Sequence, residues 1–181
     1  MTELELVSLC LKGDGHAQRE LYTKYAARVN AVCLRYLGDP VEAEDLLQEI
    51  MIKVFDNLRS FEYKGDGSLM AWIKRLATNT AIDKLRKKGN LKIFSLIGKD
   101  DEDPAVENEE MVEVPLDELR QMIVEIPDTQ RVILSMFCFD GYSHKEIAGR
   151  LGITERASSS LLSKAKKTLA EKIQIYQKEH E

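Results

Sequence analysis

Proline and cysteine are scarce in this chain, with four prolines and three cysteines in 181 residues. The prolines fall between stretches of helical periodicity, and strand signals are nearly absent, so the expected fold class is all-α. Cys10, Cys33 and Cys138 form no Cys-x-x-Cys pair and each sits in an apolar periodic stretch. They are expected to be small buried hydrophobes rather than metal or redox groups. The histidines, His16, His144 and His180, lack metal-ligand spacing. No Ser–His–acid order, Gly-rich phosphate loop or paired catalytic carboxylate stands out, so no catalytic residue, metal or cofactor is expected and an enzyme is disfavoured. No apolar run approaches the ~20 residues that span a bilayer. The start, Met-Thr-Glu-Leu-Glu-Leu, lacks the basic and apolar regions of a secretory signal. A cytoplasmic protein with no membrane insertion is expected.

The net charge is −5 and the pI about 5.4, an unusual balance for a free-standing DNA binder. The average conceals segregation. Residues 71–92 hold seven basic side chains, Lys74, Arg75, Lys84, Arg86, Lys87, Lys88 and Lys92, against the single acid Asp83. Residues 100–118 hold ten acids and no base. Local patches therefore choose the partners. An acidic helix at Asp39–Ile50 suits a basic protein surface, and the basic stretch from Ala71 to Lys88 suits nucleic acid.

Helical patterns occupy residues 3–11 and 16–36, the second with a stripe of Leu21, Tyr25, Val29, Val32 and Tyr36. Asp39 followed by Pro40 reads as an N-cap with proline in the first turn. Leu46, Leu47, Ile50, Met51, Val54 and Leu58 then set an apolar face over 40–58. Residues 59–68 read as a polar loop carrying Phe61 and Tyr63. A further helix over 69–88 places Trp72, Ile73, Leu76, Ala77, Thr80, Ala81 and Leu85 on its buried stripe, with Lys74, Arg75, Thr78, Asn79, Asp83 and Arg86 elsewhere. Periodicity dissolves near Gly89 and returns at Leu116, with a restart at Pro127. The division is thus two small helical domains, 1–90 and 115–181, joined by a flexible acidic linker over 91–114 that is too poor in apolar residues to pack.

The second domain holds a sharper motif. Ser143-His-Lys-Glu146 has the form of a capping box, Gly152 supplies a left-handed residue to end the helix, and Thr154 caps the next. Ala157, Leu161 or Leu162, Ala165, Leu169 and Ile173 carry that helix onward. Two helices joined by a short Gly turn fit a helix-turn-helix, whose second helix lies in the major groove. Its groove-facing candidates are Arg156, Ser159, Ser160, Ser163, Lys164 and Lys167. The serines can bond to bases or phosphates, and the basic side chains can neutralise phosphates.

Taken together, these residues resemble the sigma factors of bacterial RNA polymerase, specifically the small extracytoplasmic-function (ECF) type of the sigma-70 family. Glu20-Leu-Tyr-x-Lys-Tyr25, Leu37-Gly-Asp-Pro40, Glu44-Asp-Leu-Leu-Gln-Glu49, Trp72-Ile-Lys-Arg-Leu-Ala-Thr-Asn79 and Ala81-Ile-Asp-Lys-Leu-Arg86 look like that family's region 2. Ile126-Pro127, Gly141-Tyr-Ser-His-Lys-Glu-Ile-Ala148, Leu151-Gly-Ile-Thr154 and Lys164-Ala-Lys166 look like region 4. The resemblance implies that Asp45, Gln48 and Glu49 dock on the β′ clamp helices of core RNA polymerase. It implies that Phe61, Tyr63, Trp72, Lys74, Arg75, Asn79, Asp83 and Arg86 serve recognition and melting of the −10 element, as single-stranded and duplex promoter DNA. Aromatic side chains suit that task, because stacking on a splayed base contributes ~1–3 kcal/mol, although Trp72 suits the core better and Phe61 and Tyr63 fit either role. For the −35 element it implies Ser143, Lys145, Arg156, Ser159, Ser160, Ser163, Lys164 and Lys167, with a further contact to the β flap. An anti-sigma factor is an implied partner. The chain departs from the family at Ser159 and Leu161, where basic or amide side chains are usual, and at Arg156, near which a glycine is usual. The main rival reading is a stand-alone helix-turn-helix regulator that binds operator DNA as a dimer without polymerase.

Overall fold

The computed structural model describes residues 1–89, 91 and 114–180. Apart from Leu91 and Val114, the linker read from the sequence lies outside the described residues. All regular structure among the described residues is helical: α1 (Glu3–Leu11), α2 (Gly15–Leu37), α3 (Pro40–Asn57), α4 (Ser68–Lys87), α5 (Leu116–Glu125), α6 (Asp128–Leu134), α7 (His144–Leu151) and α8 (Glu155–His180). Contacts divide the chain into two compact units, Met1–Lys84 and Leu85–Glu181, a division that falls in the last turn of α4.

In the first unit, local chemistry sets the helix ends. Asp14 caps α2 by accepting from Ala17 N at 2.8 Å, and α2 stops at Gly38, whose φ of 73° is left-handed. Asp39 caps α3 by accepting from Glu42 N at 2.9 Å, with Pro40 in the first turn. Proline at that position removes a donor that would have no helical partner. The α2 stripe Leu21, Tyr25, Val29, Val32 and Tyr36 is buried, as is the α3 stripe Leu46, Leu47, Ile50, Met51 and Val54. These two helices pack on each other, and α1 closes one side by burying Leu6, Val7 and Cys10. A short 3-10 turn, Leu58–Ser60, follows α3, so the loop begins at Phe61 rather than Arg59.

The second unit packs α5, α6 and α7 against α8. Met122, Ile123, Ile126, Val132, Ile133, Met136, Ile147, Leu151, Leu161, Leu162 and Ala165 form its core. Arg131 is buried within it and 3% exposed. Its Nη1 donates to Val124 O at 2.9 Å and Ile126 O at 3.0 Å, and its Nη2 donates to the Asp128 carboxylate. One side chain thereby satisfies carbonyls at the end of α5, which would otherwise be buried without a partner. The helix expected through Met136 and Phe137 loosens into a π turn over Ser135–Phe139, where Asp140 N reaches Ser135 O at 3.0 Å. The far half of α8 is pinned by Thr168 Oγ1 donating to Gln130 Oε1 at 2.8 Å and by Lys172 Nζ on Glu125 Oε2 at 3.0 Å. The hydrogen bond from Lys172 holds the Glu125 carboxyl below its ordinary value.

Two expectations are corrected. Cys10 and Cys33 are buried, but Cys138 is exposed, because the π turn rotates it out of the core. Thr78 is fully buried rather than off the α4 stripe. The buried face of α4, which includes Ile73, Ala77, Ala81, Ile82 and Leu85, is wider than a single stripe and takes in Thr78.

Candidate nucleic-acid interface

The outer face of α3 presents Asp45, Gln48 and Glu49, all exposed. Gln48 Nε2 donates to the Tyr22 hydroxyl at 3.2 Å, which ties the amide to α2. Glu49 pairs with Lys53 at 2.7 Å on the surface, where such a pair contributes little to stability. The same face carries two bare aliphatics, Val41 at 71% and Ile52 at 62% exposure. At about 100° per residue, Val41, Asp45, Gln48 and Ile52 fall within one narrow stripe. The sequence carries that signal as well, because the same 100° spacing sets Val41 and Ile52 opposite the apolar stripe of α3.

The loop and the start of α4 gather the aromatics. Phe61 and Trp72 are both half-buried and lie tilted against each other, ring centroids 5.7 Å apart. Tyr63 is 41% exposed, and its hydroxyl donates to Asp66 Oδ1 at 2.9 Å. That bond to a carboxylate raises the phenol above its ordinary value. Trp72 therefore stands between the two roles open to it, partly in the core and partly accessible. Arg75, Asp83 and Arg86 are exposed and Asn79 half-buried. With Trp72 they recur at steps of three, four, four and three residues along one side of α4, a continuous stripe in a regular helix. Lys74 does not join it. It sits about 160° around the helix from Trp72 and is half-buried on the packed side.

The helix-turn-helix forms through the local bonds its sequence encodes. Ser143 Oγ accepts from Glu146 N at 3.2 Å, and Glu146 Oε2 accepts from Ser143 N at 2.8 Å, closing the capping box. Gly152 ends α7 at φ 69°, a left-handed geometry that strains any side chain. Thr154 Oγ1 accepts from Ala157 N at 3.0 Å to start α8. Ser143, Lys145, Arg156 and Lys167 are exposed, while Ser159, Ser160, Ser163 and Lys164 are half-buried. Arg156, Ser159, Ser160, Ser163 and Lys167 share one face of α8, with Lys164 on its flank. The opposite face buries both Leu161 and Leu162, together with Ser158 and Ala165. One tie escaped the sequence: His144 Nδ1 and Ser158 Oγ share a hydrogen bond at 2.9 Å, and the His144 ring stacks on Phe137 at 4.6 Å. These contacts tie the start of α7 to the first turn of α8 and to the π turn that precedes α7. Among the described residues no group of three or more His, Cys, Asp or Glu is placed to hold a metal, and no helix is long and apolar enough to cross a membrane.

A helix-turn-helix with a polar and basic outer face, carried on one chain with an exposed acidic helix, defines the class of DNA-binding transcription proteins. Comparison with known proteins supplies the family. Residues 21–90 match Sigma-70 region 2 and residues 116–169 match Sigma-70, region 4, which together cover more than half of the chain. The chain is 31% identical over 156 residues to the ECF RNA polymerase sigma factor SigW of Bacillus subtilis, covering 78% of this chain and 81% of that one. It is 30% identical to the ECF RNA polymerase sigma factor SigF of Caulobacter vibrioides, over 95% of this chain and 96% of that one. The sigma factor RpoE of Bartonella quintana, solved in complex with the anti-sigma factor NepR, shares the fold, with a TM-score of 0.53 at 20% identity over 87% of this chain and 96% of that one. This chain belongs to the ECF group of the sigma-70 family of RNA polymerase sigma factors.

Proposed function

We propose that the chain docks on core RNA polymerase through the outer face of α3, with Asp45, Gln48 and Glu49 set against basic helices of the β′ clamp. Carboxylates on an exposed helix face steer a basic partner and set its register. The −10 element is met by the Phe61–Trp72 pair, Tyr63 and the α4 stripe of Arg75, Asn79, Asp83 and Arg86. The −35 element is met by α8 through Arg156, Ser159, Ser160, Ser163 and Lys167, flanked by Lys164, with Ser143 and Lys145 at the start of α7 reaching the backbone. In this reading residues 1–90 and 115–181 are the two functional domains, and the protein makes or breaks no bond itself. The likeness to a sigma factor solved with an anti-sigma factor supports a regulator of that kind as a second protein partner.

The observation that carries this reading is the separation of surfaces: acids and bare aliphatics on α3, and a polar, basic face on α8 held by a fully formed capping box and Gly turn. Its test is run-off transcription with core polymerase and a promoter library. Reversing Asp45 and Glu49 to Lys is expected to abolish both promoter-specific transcripts and retention of the chain by core polymerase, with the helical circular-dichroism signal intact. Unchanged retention would remove the docking assignment.

A further inference from the structure

The first turn of α4 has no cap of its own. It follows Gly67, which has no side chain and a φ of 87°, and it carries no acidic residue. A helix start leaves backbone N–H groups without partners and a partial positive charge, which a side-chain oxygen and a negative charge normally relieve. Here the relief comes from a distant part of the chain. Leu69 N donates to Glu3 Oε2 at 3.3 Å, across a separation of 66 residues. The other carboxylate oxygen, Glu3 Oε1, accepts from the Tyr25 hydroxyl at 3.2 Å. Tyr25 is 1% exposed and so a fixed post. Its phenol is pushed up to about 12 by burial and then by Glu3, and it stays a neutral donor in the physiological range.

The capped turn is the one that leads to Trp72 and adjoins the loop. Lys64 N donates to Ser68 Oγ at 3.2 Å, and Ser68 N to Gly65 O at 3.2 Å, so the loop is hung from the same first turn. The charge of Glu3 also reaches Tyr63 and adds to the rise of its phenol. Helix α1 packs on the 3-10 turn that precedes Phe61. The helix bearing Glu3 lies before the residues that match Sigma-70 region 2, which begin at 21.

We propose that Glu3 is a positioning residue for promoter opening: clamped by Tyr25, its carboxylate caps α4 and holds the Phe61–Tyr63–Trp72 cluster in the geometry that receives unpaired −10 bases. This rests on the reading that the cluster faces the −10 element. Glu3 touches no nucleic acid and acts only through the turn it caps.

The test uses holoenzyme assembled from core polymerase and the full chain, with 2-aminopurine in the −10 region of a duplex promoter to report opening, and retention by polymerase measured in parallel. Loss of a helix cap corresponds to about a fivefold change in an equilibrium. Glu3→Ala is expected to lower the open-complex equilibrium by about that factor and to weaken capture of a single-stranded −10 oligonucleotide, with polymerase affinity unchanged. Tyr25→Phe keeps the buried ring, loses only the clamp, and is expected to show the same selective defect at smaller size. It decides the matter if Glu3→Ala folds poorly. A chain altered at both Phe61→Ala and Tyr63→Ala is the control for the underlying reading. Normal opening by the Glu3 and Tyr25 variants, with a defect in the aromatic control, overturns the role of Glu3 alone. A loss of polymerase affinity matching the loss of opening shows a general structural effect and also overturns it. Normal opening by the aromatic control overturns the −10 reading, and the proposal for Glu3 with it.

Discussion

Cys33 and Tyr25 sit inside the first unit at 0% and 1% exposure, and burial works on both in the same direction. It pushes the Cys33 thiol from 9.0 to about 12. It does the same to the Tyr25 phenol, from 10.0 to about 12, with the charge and hydrogen bond of Glu3 adding to the rise. The folded chain therefore keeps these two protons at pH values where the unfolded chain has released them. Stability from this source is present in full below pH 9.0 and is lost as pH rises through about 12. Thermal melts followed by circular dichroism across that window are expected to show a falling midpoint, and Tyr25→Phe is expected to flatten the decline. A midpoint with the same pH dependence in both proteins would show that Tyr25 has no part in it.

At the scale of elements, α3 combines two kinds of contact on one outer face. Asp45 and Glu49 offer charge, while Val41 and Ile52 offer apolar area that lies open in the free chain. Covering a side chain of that size contributes roughly 1.5–3 kcal/mol. Replacing Val41 and Ile52 together by Ser is expected to weaken polymerase binding by at least about tenfold while leaving the salt dependence of binding unchanged. A titration of affinity against salt for the wild type and this variant checks both parts, and an unaltered affinity places the aliphatics outside the interface. Much of this element-level picture was legible in the sequence because its causes are local. Asp39–Pro40, the Ser143–Glu146 box, Gly152 and Thr154 act within a few residues of themselves, and the helices start and stop where those residues stand. The ties that were not legible reach past the single turn that a capping motif spans. Arg131 satisfies carbonyls at the end of α5, His144 meets Ser158 across the turn, and Thr78 is buried by the breadth of a packing face. Spacing along a chain carries no sign of such pairs. The outward turn of Cys138 belongs with them, since one π turn shifts the direction of every side chain within it.

The whole molecule carries a net charge of −5, so its basic face on α8 works against the field of the rest of the chain. An acidic protein reads promoters when polymerase supplies the affinity and each DNA contact becomes effectively intramolecular. The isolated chain is therefore expected to bind a promoter duplex weakly in fluorescence anisotropy at moderate salt, and the holoenzyme tightly. Tight, sequence-specific binding by the chain alone would point instead to a stand-alone helix-turn-helix regulator. At this scale the charge is segregated in the folded chain as it is along the sequence, with acids on the outer face of α3 and a polar, basic face on α8.

The bond between Glu3 and Leu69 also has a meaning in the order of synthesis. A ribosome releases Glu3 and Tyr25 well before the helix they serve, so both sides of the clamp await α4 as it emerges. A helix that begins after a glycine and has no acid in its first turn then meets its cap on arrival. The first unit can close in the direction of translation, with the loop that carries Phe61 and Tyr63 set last.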